Sequence, residues 1–338
     1  MKVGLLAGLV AVSALLMAQA PAPESSPLPR FRGQVTEVIV PVTVTDEKGR
    51  FVSNLEASDF RIFDEGREQK AVFFSRERNQ PVVVGFLLDL SNESTRHWDK
   101  FQEAAQDLVF NLLPGDKRFS GYLIGYSTEP ELLVNTTPDA EKIMERIRKL
   151  KPGGGAALFD AIYKAMTERT LVQGEPIEPR RVLIIIGDGH DSASHKSLRE
   201  VLELAQRNLV TIYGMSTKAF GLDVDGDGNL RKLCEETGGR VVYPLDENLY
   251  SDVSGYLSNP SDEGNYAYRV GTGQYANALA QGIYKSVAAL AGEVTTQYIL
   301  RYIPDVESAG NRARELRVVV NLPGATVRSR QYYYPEIK

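Results

Sequence analysis

Cysteine is nearly absent from this sequence, which contains one cysteine among 338 residues. Cys234 has no second cysteine to pair with, so the fold cannot depend on an internal disulfide bond. No cysteine lies near the amino terminus either, so a lipid anchor on cysteine has no acceptor. The helical pattern from Leu230 to Glu236 predicts that Cys234 is a small core residue.

Long apolar runs are scarce as well. Met1 and Lys2 precede an apolar stretch from Val3 to Met17 that leads into Ala18-Gln19-Ala20, a pattern typical of a secretory signal peptide. This stretch is too short for a comfortable membrane span, and no second stretch is long and apolar enough. We therefore predict an exported protein, periplasmic or extracellular, with a signal peptide at residues 1–20 and no further transmembrane segment.

Positive charge is not in excess, because 39 lysines and arginines face 44 acidic residues and the formal net charge is -5. Nucleic-acid binding requires a basic face, and none is visible, so no nucleic-acid partner is predicted. Catalytic motifs are missing too: there is no Gly-x-Ser-x-Gly elbow, and Gly153–Gly155 lacks the Gly-Lys-Ser/Thr that cradles phosphate. His190 with Ser192 and Ser194 imitates a hydrolytic arrangement, but such neighbours in sequence are typical of a polar loop. A non-enzymatic protein is predicted, with a hydrolase as the third alternative.

The sequence does contain two apolar strands that end in acidic loops. Val82 to Leu88 leads into Asp89, and Val182 to Ile186 leads into Asp188. Runs of branched apolar residues bounded by turn signals are typical of strands buried on both faces. In an open α/β sheet, ligands bind at the carboxyl ends of such strands, where the strand order reverses. We therefore predict that Asp89 and Asp188 face one site, where carboxylates with a hydroxyl between them suit a divalent cation.

Strands alternate with helical patterns from Val82 to Tyr243, which predicts an α/β fold with a three-layer, doubly wound, mostly parallel sheet of Rossmann-like type. Strand-like segments flank this part on both sides, at Val35 to Thr45 and Phe60 to Ser75 before it and from Thr295 to Tyr334 after it. Neither flank can bury enough apolar area alone. We therefore predict that the two flanks form one small β module.

Changes in composition predict the domain boundaries. A segment rich in proline and serine follows the signal peptide, and a segment without clear period, rich in Gly, Ser, Asn and Tyr, follows the α/β pattern. The predicted order is a signal peptide at 1–20, a linker at 21–33, an N-terminal β segment at 34–78, the α/β domain at 79–245, an insertion loop at 246–276, and a helix with a C-terminal β segment at 277–335 that packs with 34–78.

A second acidic pattern carries Asp223, Asp225 and Asp227. Oxygens at alternate positions, followed by a glycine, resemble the opening of an EF-hand-type calcium loop. The glycine permits the turn that folds the carboxylates inward, but the usual twelfth-position glutamate is replaced by Cys234. The alternative is a solvated turn before a helix.

Taken together, these residues resemble the von Willebrand factor A-type domain family, in particular a bacterial exported group with a β-rich flank on each side. The flanking signals are Val42 to Gly49, Asp59-Phe60 with Asp64-Glu65-Gly66, and the closing Tyr332 to Pro335. Their order and spacing are more specific than any one of them alone. The resemblance covers roughly the chain from the first flank to the last.

The resemblance implies a metal-ion-dependent adhesion site. The family builds it from an Asp-x-Ser-x-Ser loop, a threonine in a Gly-rich loop and an aspartate after a later strand, and a carboxylate of the binding partner completes the shell of Mg²⁺. Asp89, Ser91 and Asp188 match by position, whereas Glu93 stands at the second serine position and Ala156 at the threonine position. If Glu93 reaches in, three carboxylates would favour Ca²⁺ or Mg²⁺ without a partner's acid. The alternative is a vestigial site in which the aspartates cap local turns.

The resulting prediction is an exported, non-enzymatic protein that binds another protein, in adhesion or assembly, through the carboxyl edge of an A-type domain. The binding is metal-assisted if Mg²⁺ or Ca²⁺ is held there. The alternative function is a structural component of the cell envelope with a vestigial metal site.

Overall fold

The computed structural model describes residues 37–76, 81–168, 179–217, 225–244, 272–304 and 312–334. The predicted signal peptide, the predicted linker and most of the predicted insertion loop lie outside these ranges. None of the helices in the described ranges combines the length and the hydrophobicity needed to span a bilayer.

The described strands fall into three groups along the chain. The amino-terminal group comprises β1 (Val38–Thr45), β2 (Phe60–Asp64), β3 (Arg67–Gln69) and β4 (Phe73–Ser75). The central group comprises β5 (Val82–Asp89), β6 (Phe119–Tyr126), β7 (Pro130–Thr137), β8 (Arg180–Ile186), β9 (Val210–Met215) and β10 (Val241–Val242). The carboxy-terminal group comprises β11 (Tyr298–Tyr302), β12 (Arg314–Val320), β13 (Thr326–Arg328) and β14 (Tyr332–Tyr333).

The helices of the described ranges are α1 (Trp98–Leu112), α2 (Ala140–Arg148), α3 (Leu158–Thr167), α4 (Leu198–Arg207), α5 (Asp225–Thr237) and α6 (Thr272–Thr296). Two of them begin at capping residues that satisfy otherwise unpaired backbone amides. The Asp139 side chain accepts hydrogen bonds from the second and third residues of α2, and Ser197 with Glu200 forms a capping box at α4.

The central sheet has the strand order β10-β9-β8-β5-β6-β7, and β7 alone among these runs antiparallel to its neighbour. Strands β5 and β8 are adjacent over their whole length, from Val82 opposite Arg180 to Leu88 opposite Ile186. The predicted fold class is confirmed, and the pairing of β5 with β8 places the ends of the two acidic-ended strands side by side. Every residue of β5 is buried, because helices cover both faces of the sheet.

Helix α6 occupies a different place from the one predicted. We expected it to pack with the flanking β segments, and the predicted insertion loop to extend to residue 276. Instead the helix begins at Thr272, and Ile283, Val287 and Leu290 join the core formed by α1, α2 and one face of the central sheet. The physical reason is that β5 has two apolar faces, and α3, α4 and α5 cover only the other one.

The two flanks of the chain form one β module, as predicted. Strand β1 pairs with β11, placing Val40 opposite Leu300, and β2 pairs with β12, placing Ile62 opposite Val318. Two four-stranded sheets result, with the orders β13-β1-β11-β4 and β14-β12-β2-β3. Apolar side chains from both flanks fill the space between these sheets and form a third core.

A buried charged network lies inside the β module. The Asp64 carboxylate is fully buried and accepts hydrogen bonds from Arg314 Nε at 2.8 Å, Tyr302 Oη at 3.0 Å and Tyr333 Oη at 2.7 Å. Three carboxy-terminal strands are thereby tied to β2, the strand that carries Asp64. Removing one partner of such a pair leaves the other charge buried and uncompensated.

Asp64→Ala should therefore lower the free energy of unfolding by about 3–5 kcal/mol, the usual cost of breaking a buried ion pair. Urea denaturation of the full chain measures it. The matched control is Glu68→Ala, which removes an exposed pair with Arg61 in the same sheet and should change stability little. Equal losses for the two variants would show that the buried network does not hold the flanks together.

The β module joins the rest of Val35–Lys338, which forms one compact unit, at the amino ends of the parallel strands. Arg180, the first residue of β8, donates hydrogen bonds to Gln297 Oε1 and to the Val294 carbonyl oxygen near the end of α6. Gln297 in turn donates to Thr43 Oγ1 of β1 at 3.0 Å. The buried Glu293 carboxylate pairs with Arg240 at 2.6 Å and with Arg328 of β13 at 2.5 Å. The described contacts of this junction thus lie at the amino edge of the sheet, opposite its carboxyl edge.

Candidate functional site

The candidate site lies at the carboxyl ends of β5, β6 and β8. Asp89 is the last residue of β5, Tyr126 is the last residue of β6 and pairs with Asp89, and Asp188 follows β8. The chain leaves β5 towards α1 on one face of the sheet and leaves β8 towards α4 on the other face. The edge between β5 and β8 is thus the point where the winding reverses, which is where α/β sheets bind ligands.

Buried oxygen atoms without hydrogen-bond partners concentrate at this edge. Asp89 Oδ1 accepts a hydrogen bond from Ser91 N at 2.8 Å, but Asp89 Oδ2 accepts none. The hydroxyls of Ser91, Ser94 and Tyr126 are also buried and unpartnered. The two serine hydroxyls lie close enough to lower the pKa of Asp89, yet neither has the geometry of a hydrogen bond to it. Buried polar atoms are normally paired, so this cluster indicates a site for a ligand or for ordered water.

Electrostatics link the two predicted aspartates. Burial raises the pKa of Asp89 to about 6, the hydrogen bond from the Ser91 amide opposes this rise, and the nearby charge of Asp188 adds to it. Asp188 is itself 9% exposed, and its Oδ1 accepts a hydrogen bond from His190 N at 2.8 Å. The structure thus brings Asp89, Ser91 and Asp188 together, and a cation would relieve the repulsion between the two aspartates.

In the loop after β5, Ser94 and not Glu93 lies at the predicted second ligand position beside Asp89. Glu93 is exposed, whereas Ser94 is buried beside Asp89. The reason is the 3-10 turn that spans Asn92–His97, because side chains three residues apart lie above one another in a 3-10 helix. Ser94 is three residues after Ser91 and therefore lies on the same side of the turn. The signal was present in the sequence as a serine one position late.

Ala156 lies at the rim of the site and offers no side-chain oxygen. It is completely buried, its amide donates to Ser192 Oγ at 3.1 Å, and its carbonyl accepts from Ser192 N at 2.8 Å. The neighbouring Asp191 carboxylate accepts hydrogen bonds from Phe159 N at 2.9 Å and from Ser194 Oγ at 2.6 Å. The loop after β8 is thus fastened to the start of α3. Sequence reasoning missed this role of Asp191, Ser192 and Ser194, because Asp, Ser and His also occur in unstructured polar loops.

The family comparison decides the identity of this domain. The model of the von Willebrand factor type A domain matches residues 84–255, just over half of the 338 residues. The chain belongs to this family. A search of curated proteins found no match to this chain.

Several solved structures are similar to this A-type domain protein in fold. The conserved hypothetical protein BatB from Bacteroides thetaiotaomicron is 17% identical, with 58% of this chain and 99% of BatB covered and a TM-score of 0.38. An aerotolerance-related membrane protein from Bacteroides fragilis is 16% identical, with 60% and 99% covered and a TM-score of 0.38. Proximal thread matrix protein 1 from the mussel byssus, solved with zinc in its MIDAS motif, is 13% identical, with 68% and 49% covered and a TM-score of 0.41.

The described part of the second acidic segment is helical and does not form the predicted calcium loop. Asp223 lies outside the described residues, and α5 already begins at Asp225. The Asp227 carboxylate is buried, accepts a hydrogen bond from Tyr243 Oη at 2.8 Å and pairs with Arg231 at 2.9 Å. Both carboxylate oxygens of Asp227 are therefore bonded to side chains of the protein, one to Tyr243 and the other to Arg231.

The residues at the carboxyl edge fit the cation that the A-type family implies. The described residues contain no group of three or more His, Cys, Asp or Glu side chains that could hold a metal ion. What the edge offers is two carboxylates, Asp89 and Asp188, and two hydroxyls, Ser91 and Ser94. An all-oxygen set of this kind suits Mg²⁺ or Ca²⁺. The buried Asp89 Oδ2 accepts no hydrogen bond and has a free lone pair with which it could bind the cation.

The raised pKa of Asp89 predicts how stability depends on pH without cations. Because the folded pKa of about 6 exceeds the ordinary value of 3.8, the folded state holds a proton more tightly, and stability falls as pH rises through this window. A difference of about two pKa units corresponds to roughly 3 kcal/mol. Asparagine carries no charge, so the stability of Asp89→Asn should not fall in this way. Its free energy of unfolding, relative to that of the unsubstituted chain, should therefore rise by that amount between about pH 4 and pH 7. Urea denaturation in chelator measures it, and a constant difference between the two proteins across this range would contradict the prediction.

Proposed function

We propose that this chain is an exported protein-binding module that contacts another protein through the carboxyl edge of its A-type domain, assisted by Mg²⁺ or Ca²⁺. Asp89, Ser91, Ser94 and Asp188 would hold the cation. The observation that carries the proposal is the cluster of buried, unpartnered oxygens around Asp89 Oδ2. Export rests on the sequence features of residues 1–20.

The chemistry of the edge supports a cation more than an empty polar turn. A buried carboxylate with one unpaired oxygen is costly, and a divalent cation neutralises it while the serine hydroxyls supply uncharged oxygens. When bound, the cation would supply a positive centre that accepts a carboxylate from the partner. The role of the chain's own residues is to hold the cation and to keep its outer side open.

A binding role is also supported by how the polar residues near the site are used. Ser192 and Ser194, the nucleophiles that a hydrolase would need, bond to the Ala156 amide and to Asp191. The ring of His195 bonds to Asp160 at 3.0 Å. These groups fasten one loop to another, which keeps the binding edge rigid.

The alternative is a structural component of the cell envelope with a vestigial site. The observation that favours it is Ala156, which lies at the rim without a ligating atom. The raised pKa of Asp89 points the same way, because a proton competes with a weakly held cation.

Calorimetric titration with Mg²⁺ and Ca²⁺ distinguishes the cation-assisted binding module from the structural component with a vestigial site. The proposal expects binding by the unsubstituted chain, a rise in melting temperature with cation concentration, and loss of both in Asp188→Asn. The control is Asp225→Asn in the second acidic segment, which should bind as before. Binding that survives Asp188→Asn but disappears in Asp225→Asn would move the cation away from the carboxyl edge.

The partner itself is tested by cross-linking in an envelope extract, with cation or with chelator. A specific partner should be captured by the unsubstituted chain with Mg²⁺, and its recovery should fall roughly tenfold with chelator or with Asp188→Asn, because each 1.4 kcal/mol of lost affinity is a factor of ten. Capture that is equal under all conditions would show that the carboxyl edge is not the contact surface.

A further inference from the structure

The side-chain hydroxyl of Tyr126 borders the candidate cation site and takes part in no hydrogen bond there. It is the last residue of β6, directly opposite Asp89 in the parallel pairing, and its backbone carbonyl accepts a hydrogen bond from Leu90 N at 2.8 Å. The side chain is completely buried, and its hydroxyl has no hydrogen-bond partner. A buried tyrosine hydroxyl normally finds a partner, so this one calls for an explanation.

The hydroxyl of Tyr126 and the unpartnered oxygen of Asp89 border the same small space. A Cβ atom placed on Gly187 would lie 2.5 Å from Tyr126 Oη, 2.8 Å from Asp89 Cβ and 3.1 Å from Asp89 Oδ2. No side chain fits at position 187 without displacing one of these groups. The glycine that follows β8 therefore keeps open the space that the two oxygens border.

The chemistry of the two groups sets the direction of a contact between them. A tyrosine hydroxyl can donate one hydrogen bond, whereas an ionised carboxylate oxygen only accepts. A carboxylate oxygen has two lone-pair positions, so one can receive a hydrogen bond while the other faces a cation.

We propose that Tyr126 is a positioning residue of the cation site, whose hydroxyl donates a hydrogen bond to Asp89 Oδ2, directly or through one water molecule in the space left by Gly187. This inference rests on the proposed function. The hydrogen bond holds the carboxylate in one orientation, so that the remaining lone pair of Oδ2 faces the cation. It supplies, on the buried side of the site, a polar contact that Ala156 cannot supply at the rim.

The test compares Tyr126→Phe with Tyr122→Phe. Both variants remove one hydroxyl from a buried tyrosine of β6, but the Tyr122 hydroxyl donates to the Ala165 carbonyl oxygen at 3.2 Å instead. Calorimetric titration should show Mg²⁺ binding roughly tenfold or more weaker in Tyr126→Phe, because hydrogen bonds to charged groups are the stronger kind. Tyr122→Phe should bind Mg²⁺ as the unsubstituted chain does, even if its melting temperature falls.

A spectroscopic readout separates positioning from a general loss of packing. With ¹³C at the ζ position of tyrosine, the Tyr126 signal should shift when Mg²⁺ is added to the unsubstituted chain, and should shift in Asp89→Asn without any cation. Equal Mg²⁺ affinity in Tyr126→Phe and the unsubstituted chain would overturn this inference and leave the proposed cation site standing. Failure of the unsubstituted chain to bind either cation would overturn the cation site and, with it, the role of Tyr126.

Discussion

The pairing of strands from opposite ends of the chain is the constraint on which the rest of the structure depends. Strand β1 pairs with β11 and β13, and β2 pairs with β12 as well as with β3, so each of the two sheets combines strands from both flanks. The α/β domain is enclosed between them in sequence. Such contacts bridge most of the chain, and closing so long a loop costs conformational entropy before any contact compensates for it. The buried Asp64 network then fixes which strands meet, because a shifted register would leave Arg314 without its acid.

The same arrangement fixes where the β module meets the central sheet. Helices of a doubly wound sheet end at the amino edge, where their carbonyl groups carry partial negative charge. Arginines lie at this edge: Arg180 bonds to the Val294 carbonyl near the end of α6, and Arg330 donates to the Leu209 carbonyl just beyond α4 at 3.0 Å. The β module is therefore held where the electrostatics favour cations. The acidic residues Asp89 and Asp188 lie at the opposite, carboxyl edge.

Much of the fold was predictable from residue patterns, while the details of the site were not. The apolar runs of β5 and β8 predict buried neighbouring strands, since few other structures bury so many branched residues in succession. Glu93 was misplaced because spacing along the sequence does not show that the loop folds as a 3-10 turn. Tyr126 was missed because an aromatic residue at the end of an apolar strand looks like any core residue. Its importance depends on Gly187, which lies far from it in sequence and adjacent in space.

The closed β module also has a mechanical consequence. If the chain is pulled between Glu37 and Tyr334, the load enters through β1 and β14, and β13 lies between them along the chain. The ladder that joins Thr43 to Arg328 and Thr45 to Thr326 carries it directly. The α/β domain lies outside this path, because it is inserted between strands that are already bonded to one another. Because β1 and β13 are antiparallel and would be pulled at neighbouring ends, their ladder would open one pair at a time, beginning with Thr43 and Arg328, while the acidic edge would keep its geometry.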